Sequence, residues 1–216
     1  MNFYIVTLFP ESIKDYLDSS ILGRAQKDKK IKISYYNPRD FTKDKTKSSY
    51  KRVDRKPYGG GPGMVLEVES VIKATERAIG RKKNVLVVFF SPSGIQFTNI
   101  LARKYIKKYK HIVFICGHYE GVDARVSKIL KAKEISVGPY VLTGGELPAA
   151  IMIDVMSRQI PGILGKYESL EEERISNKDV YTRPEVFEYK SKKYKVPKVL
   201  LSGHHKNIEE WRKKGR

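Results

Sequence analysis

Short runs of β-branched and aromatic residues recur along the chain at FYIVTLF (3–9), IKISYYN (31–37), NVLVVFF (84–90), HIVFICG (111–117) and KEISVG (133–138). Each predicts a strand. Several are apolar throughout, the pattern of parallel strands covered on both faces. Between them, apolar residues return at helical spacing in 10–27, 67–80, 98–108 and 120–131. This alternation predicts an α/β fold with an open, mostly parallel sheet and helices on both faces. A fifth helix, LPAAIMIDVMSRQI (147–160), carries Pro148 in its first turn and stops before Pro161 and Gly162. The main domain is therefore expected over 1–162. Residues 163–180 lose periodicity and read as a linker. A small C-terminal helical segment follows over 181–216, with the basic run KSKKYK (190–195) and an amphipathic stretch around Trp211.

Charge adds a partner to this picture. Lys and Arg number 43 against 24 Asp and Glu, a net +19. Such an excess attracts a polyanion and releases its counterions, although a lysine-rich surface alone would give the same balance. The single cysteine, Cys116, excludes an internal disulfide, and the four histidines have no zinc-site spacing. A reducing, cytoplasmic setting is expected. FYIVTLF lacks a preceding basic region and is broken by Pro10, so it reads as a strand rather than a signal peptide. No segment approaches the roughly 20 apolar residues of a membrane span.

In an open α/β sheet, ligands bind beyond the carboxyl ends of the strands. Three expected strands run there into glycine-containing loops: SPSG (91–94), CGHYEG (116–121) and VGPYVLTGGELP (137–148). Glycine permits positive φ and close backbone approach, so converging loops of this kind suit a nucleoside; each alone is equally a tight turn. Tyr140, Val141 and Leu142 offer apolar walls for an adenine ring or a cap on the core. Glu120 stands at an expected helix start, where a carboxylate either caps the helix or faces the pocket. The segment RVDRKPYGGGPGMV (52–65) lacks the P-loop lysine and the dinucleotide fingerprint. It is a phosphate cradle, a ligand-gating turn or a plain flexible loop. Asp154 and Arg158 are four apart on one helix face; they either pair, or Arg158 reaches a substrate oxygen.

Six ordered motifs, PYGGGPGM (57–64), CGHYEG (116–121), YVLTGGELP (140–148), SRQIPGILG (157–165), YTRPEV (181–186) and VPKVLLSGHH (196–205), span almost the whole chain. Together they resemble the bacterial tRNA (guanine-37-N1) methyltransferase family of the SPOUT class. The resemblance implies a deep trefoil knot in the sheet, an exception to the rule that chains do not thread loops. It implies an S-adenosylmethionine pocket in that knot, formed by Phe90, Pro92, Gly117, Tyr119, Glu120 and Gly121, and then by Val137, Gly138, Pro139, Tyr140, Val141, Leu142, Gly144, Gly145 and Pro148. The C-terminal segment would bind tRNA. A homodimer with each active site across the interface, and a magnesium ion with ligands unassigned, are also implied.

The expected reaction is methyl transfer to N1 of a guanine beside the anticodon. N1 of neutral guanine carries a proton, so a general base must take it. By resemblance Glu173 in the linker stands at the position of the family's aspartate base, and Arg158 matches the arginine that stabilises charge on guanine O6. His118 replaces the usual arginine of the CGHYEG motif, Pro139 the usual aspartate before Tyr140, and Arg55 a second aspartate. The chain ends soon after Trp211, which reads as a truncated tRNA-binding segment. The altered base and short C-terminus leave open a catalytically impaired relative that binds S-adenosylmethionine or RNA without turnover, and a related SPOUT enzyme with another RNA target is a further alternative.

Overall fold

The computed structural model describes residues 1–44, 51–164 and 179–214. These fall into two compact units, Met1–Ile163 and Leu164–Arg216. The first is built on strands β1 (Asn2–Val6), β2 (Lys32–Tyr36), β5 (Val85–Gln96), β6 (His111–Ile115) and β7 (Lys133–Ser136), joined by parallel pairing in the order β2-β1-β6-β5-β7. Two short strands, β3 (Asp54–Arg55) and β4 (Val65–Leu66), pair antiparallel and frame the glycine-rich segment. The helices are α1 (Glu11–Leu17), α2 (Ser20–Lys27), α3 (Val68–Ile79), α4 (Asn99–Lys108), α5 (Arg125–Ile129) and α6 (Glu146–Arg158).

Successive strand residues point to opposite faces, and the sheet uses this to bury two cores. Phe3, Ile5, Leu86, Val88, Ile112 and Phe114 lie on one side with buried residues of α1, α2, α4 and α6. Tyr4, Val6, Val87, Val113 and Ile115 lie on the other with α3 and α5. Helices therefore cover both faces, which is why the strands read as unbroken apolar runs. Phe114, fully buried, stacks between Phe3 and Phe90, with ring centroids at 6.1 and 5.9 Å.

Three elements differ from expectation. The helix expected over 10–27 is two helices, separated at Asp18–Ser19, with Ser20 at φ 48°. The helix expected over 120–131 contracts to Arg125–Ile129, because Asp123 turns its carboxylate onto the Arg125 backbone N–H and guanidinium. Glu120 therefore caps no helix. The strand expected to end at Phe90 continues to Gln96, so SPSG is an irregular stretch inside β5; Ile135 pairs with both Phe90 and Ile95.

The second unit begins with more strand than its basic composition suggests. Strands β8 (Val186–Tyr189) and β9 (Lys192–Lys195) form a hairpin whose turn residues, Lys190 and Ser191, have positive φ. Helices α7 (Lys198–Leu201) and α8 (His205–Lys214) follow, and Trp211 of α8 packs near Tyr181. Among the described residues no helix is long and apolar enough to cross a membrane.

Candidate functional site

A cleft of about 360 Å³ opens where β6 and β7 reach their carboxyl ends, beside the irregular stretch of β5. It is lined by Phe90 and Pro92 from β5, and by Gly117, Tyr119, Glu120 and Gly121 from the segment after β6. Val137, Gly138, Tyr140, Val141, Leu142, Gly144 and Gly145 line it from the segment after β7, with Pro148 in the first turn of α6. Of the residues expected there, Pro139 alone is not in the lining; it is exposed. His118, noted in the sequence only as a departure from the family motif, and Phe89, Ser91, Val122, Ile135, Ser136 and Thr143, not singled out as pocket residues, complete the wall.

The loops meet through close backbone contact. The Gly145 N–H donates to the Gly117 carbonyl at 2.9 Å, and His118 bridges Gly144 in antiparallel fashion. A Cβ on Gly145 would stand 2.5 Å from the Cα of Cys116, so only glycine lets α6 start this near the end of β6. The Ser136 hydroxyl donates to the Gly138 carbonyl at 3.0 Å and tightens the turn after β7. Beyond it, Tyr140 and Val141 are 50% and 83% exposed. Large apolar side chains left in water at a cleft mark a surface awaiting a ligand. Tyr119 holds φ 58°, a costly conformation for an aromatic residue and one that collects at ligand sites.

Under the cleft lies a polar group that the sequence reading passed over. Glu146, 7% exposed, accepts a hydrogen bond from the Thr7 hydroxyl at 2.6 Å and faces Nδ1 of His118 at 3.9 Å. Its only sequence signal is an acid directly before the apolar run LPAAIMI. Burial and the Glu146 charge push the Cys116 thiol well up.

The glycine-rich segment touches the site from another side. The Glu120 backbone N–H donates to the Met64 carbonyl at 3.0 Å, and the Leu66 N–H to the Gly121 carbonyl at 3.0 Å. Gly63 has φ 76°, and a Cβ there would fall 2.5 Å from Cγ of Glu120. The C-terminal end of 52–65 is thus tied to the cleft wall, which leaves the phosphate cradle, the ligand-gating turn and the plain flexible loop all open for the glycines before it.

Of the two expected catalytic residues, only Arg158 is among the described residues; Glu173 lies outside them. Arg158 ends α6, ten residues beyond Pro148, or about 15 Å along the helix axis, and does not line the cleft. Asp154 does not pair with it; the Tyr16 hydroxyl donates to Asp154 instead at 2.5 Å, and that bond, with desolvation, pushes the Tyr16 phenol up to about 12. Among the described residues no cluster of His, Cys, Asp or Glu is arranged to hold a metal ion.

A relative from Carboxydothermus hydrogenoformans is 47% identical over 99% of this chain and 82% of its own length. Those from Buchnera aphidicola and Clostridioides difficile are each 44% identical, over 98% and 99% of this chain and 88% and 91% of theirs. All three are named tRNA (guanine-N(1)-)-methyltransferase. The family model described as tRNA (Guanine-1)-methyltransferase TrmD matches residues 1–216, and the chain belongs to that family.

Proposed function

We propose that this tRNA (guanine-N1)-methyltransferase takes its methyl group from S-adenosylmethionine bound in the cleft and delivers it to N1 of guanine 37, beside the anticodon. The observation that carries the reading is the cleft itself. It lies at the carboxyl ends of parallel strands and is walled by glycine backbone and exposed Tyr140, Val141 and Leu142. Its size suits a nucleoside-scale ligand, small-molecule sites running to about 300–1,000 Å³. Backbone N–H and C=O groups of 117–121 and 137–145 would read the adenine and ribose edges, and Tyr140, Val141 and Leu142 would cover the ring. When bound, the donor would supply an electrophilic sulfonium methyl, its S–CH3 bond breaking to leave a neutral thioether.

The rest of the chemistry falls to the protein. The Glu173 carboxylate, in the linker, takes the proton from guanine N1, freeing the lone pair that forms the new N–C bond. Arg158 donates to O6 as negative charge builds there, and fixed donors of this kind act strongly in a dry site. Presenting N1 requires the base to leave its stack. Because Arg158 stands at the far end of α6 from the cleft of its own chain, it serves the cleft of a second copy, in a homodimer with each site across the interface. In this reading 1–162 is the knotted catalytic domain, 163–180 the linker that carries the base, and 181–216 a tRNA-binding segment, working in the cytoplasm. The described residues do not assemble a magnesium site, so no step is assigned to that ion.

The test is methyl transfer to matched tRNAs with and without a guanine pair following the anticodon. Transfer to the paired substrate alone is expected. Arg158→Ala should lower kcat by about 100-fold or more, the usual effect of removing an oxyanion donor. Equal transfer to both tRNAs, or an Arg158→Ala enzyme at full rate, would contradict the reading.

A further inference from the structure

The strands of the main sheet are entered through basic segments. KKIK (29–32) leads into β2, RKKN (81–84) into β5 and KKYK (107–110) into β6, each with three cations and no acid. At their other ends, β1, β2 and β6 leave through TLFP (7–10), NPRD (37–40) and CGHYEG (116–121), where Arg39 stands against Asp40 and Glu120. A lysine-rich composition would load both edges alike, so the segregation belongs to the fold. Backbone hydrogen bonds lace the basic segments side by side. The Met1 amine donates to the Lys30 carbonyl and the Lys32 N–H to the Met1 carbonyl, each at 3.0 Å. The Asn2 N–H donates to the Lys110 carbonyl at 3.1 Å, and the Lys110 N–H to the Asn84 carbonyl at 3.3 Å. In the order β2-β1-β6-β5 they form one row about 15 Å long, three strand spacings.

Little in the chain neutralises this row. Lys29, Lys32, Arg81, Lys83, Lys107 and Lys110 are exposed, and among the described residues none of them forms an ion pair. Lys30 meets Asp28 at 3.9 Å, and Lys82 is held by the Ala78 and Ile79 carbonyls. Helices α2, α3 and α4 end at this edge, and each offers about half a negative charge there, too little for the cations that follow it. The excess reaches His111, whose proton affinity is lowered by burial first, then by Lys82, the N-terminal amine and Lys110. No large apolar side chain is exposed in the three segments, whereas a membrane-surface site combines basic residues with apolar ones that insert. Phosphates spaced one per about 1.7 Å of duplex axis suit such a row without any apolar anchor.

The row also lies where the helix of Arg158 ends. α6 starts beside the end of β6 and runs back along the sheet, and four residues past Arg158 the Gly162 carbonyl accepts from the Lys30 ammonium. We propose that this basic edge is an RNA-backbone surface, which holds stem phosphates of the tRNA whose guanine reaches Arg158. Phosphate contacts carry no sequence information, so they position the tRNA and leave the choice of base to the cleft. The role in methyl transfer rests on the reading of Arg158 and the cleft given above; the affinity for RNA backbone does not.

The test compares three whole chains. Beside the wild type, one carries Lys83→Gln, Lys107→Gln and Lys110→Gln. A control carries Lys14→Gln, Lys43→Gln and Lys73→Gln, which removes equal charge from residues paired with Asp18 and Glu69, away from the edge. Binding of dye-labelled tRNA is followed by fluorescence anisotropy over a salt series, and methyl transfer by KM and kcat. Loss of the edge cations should reduce the slope of log affinity against log salt by about three, one for each phosphate contact. At 0.1 M salt, KM for tRNA should rise by at least about tenfold while kcat at saturating tRNA holds. The control should follow the wild type in both. Equal slopes and equal KM values in edge variant and control overturn the proposal. So does an edge variant that loses binding to vesicles of anionic phospholipid but keeps its tRNA affinity. If the edge variant shows the reduced slope yet no chain transfers methyl, the surface stands and the reading of the cleft falls.

Discussion

At the scale of single residues, the glycines of the loops were the legible part. Gly145 shows why: the start of α6 sits so near Cys116 that no side chain fits. Gly145→Ala pushes backbone against backbone, an overpacking that should cost about 1–3 kcal/mol in urea unfolding. It should also weaken donor binding, by at least about tenfold if the loops part by an ångström. Glu146 and Thr7 were illegible for an equally physical reason. A hydrogen bond between residues 139 positions apart leaves no periodicity behind. Glu120 was misplaced on a helix because its neighbours recur at helical spacing. The Asp123–Arg125 interaction, two residues apart, overrode that pattern.

At the scale of elements, the five sheet strands were readable because burial on two faces leaves an apolar run that few other structures need. What the run could not give was its own end. β5 passes through a proline and a glycine, residues that usually close a strand, since β7 supplies Ile135 as partner before and after the irregular stretch. The split between α1 and α2 was equally hidden, its one mark being the positive φ of Ser20. β6 opens with His111, whose Nδ1 lies 3.1 Å from the Tyr4 hydroxyl. Burial first, then Lys82, the N-terminal amine and Lys110, lower its proton affinity. The folded state therefore favours the neutral ring. Its contribution to stability is fully present above the ordinary histidine value near 6.5 and is lost as pH falls below it. Tm should drop between pH 7.5 and 5.5, and His111→Gln should make that drop shallower; equal slopes would contradict the assignment.

At the scale of the whole molecule, the chain falls into two compact units, Met1–Ile163 and Leu164–Arg216. Charge and composition were enough to suggest a polyanionic partner, but not which residues a second copy would contribute. That question turns on α6. One helix carries Pro148 at the cleft and Arg158 about 15 Å further along its axis, so in the proposed homodimer its two ends would serve different clefts. In genetic terms the two ends should complement. A chain carrying Arg158→Ala and another carrying Gly145→Ala are each strongly impaired alone when the donor is kept well below the concentration that fills the weakened cleft. Refolded together in equal amounts, half the pairs should be mixed, each holding one whole site, and roughly a quarter of the wild-type rate should return. Silence in the mixture would mean that each chain completes its own site. Recovery would make α6 a shared part, and a defect at one end would be inherited by the neighbour.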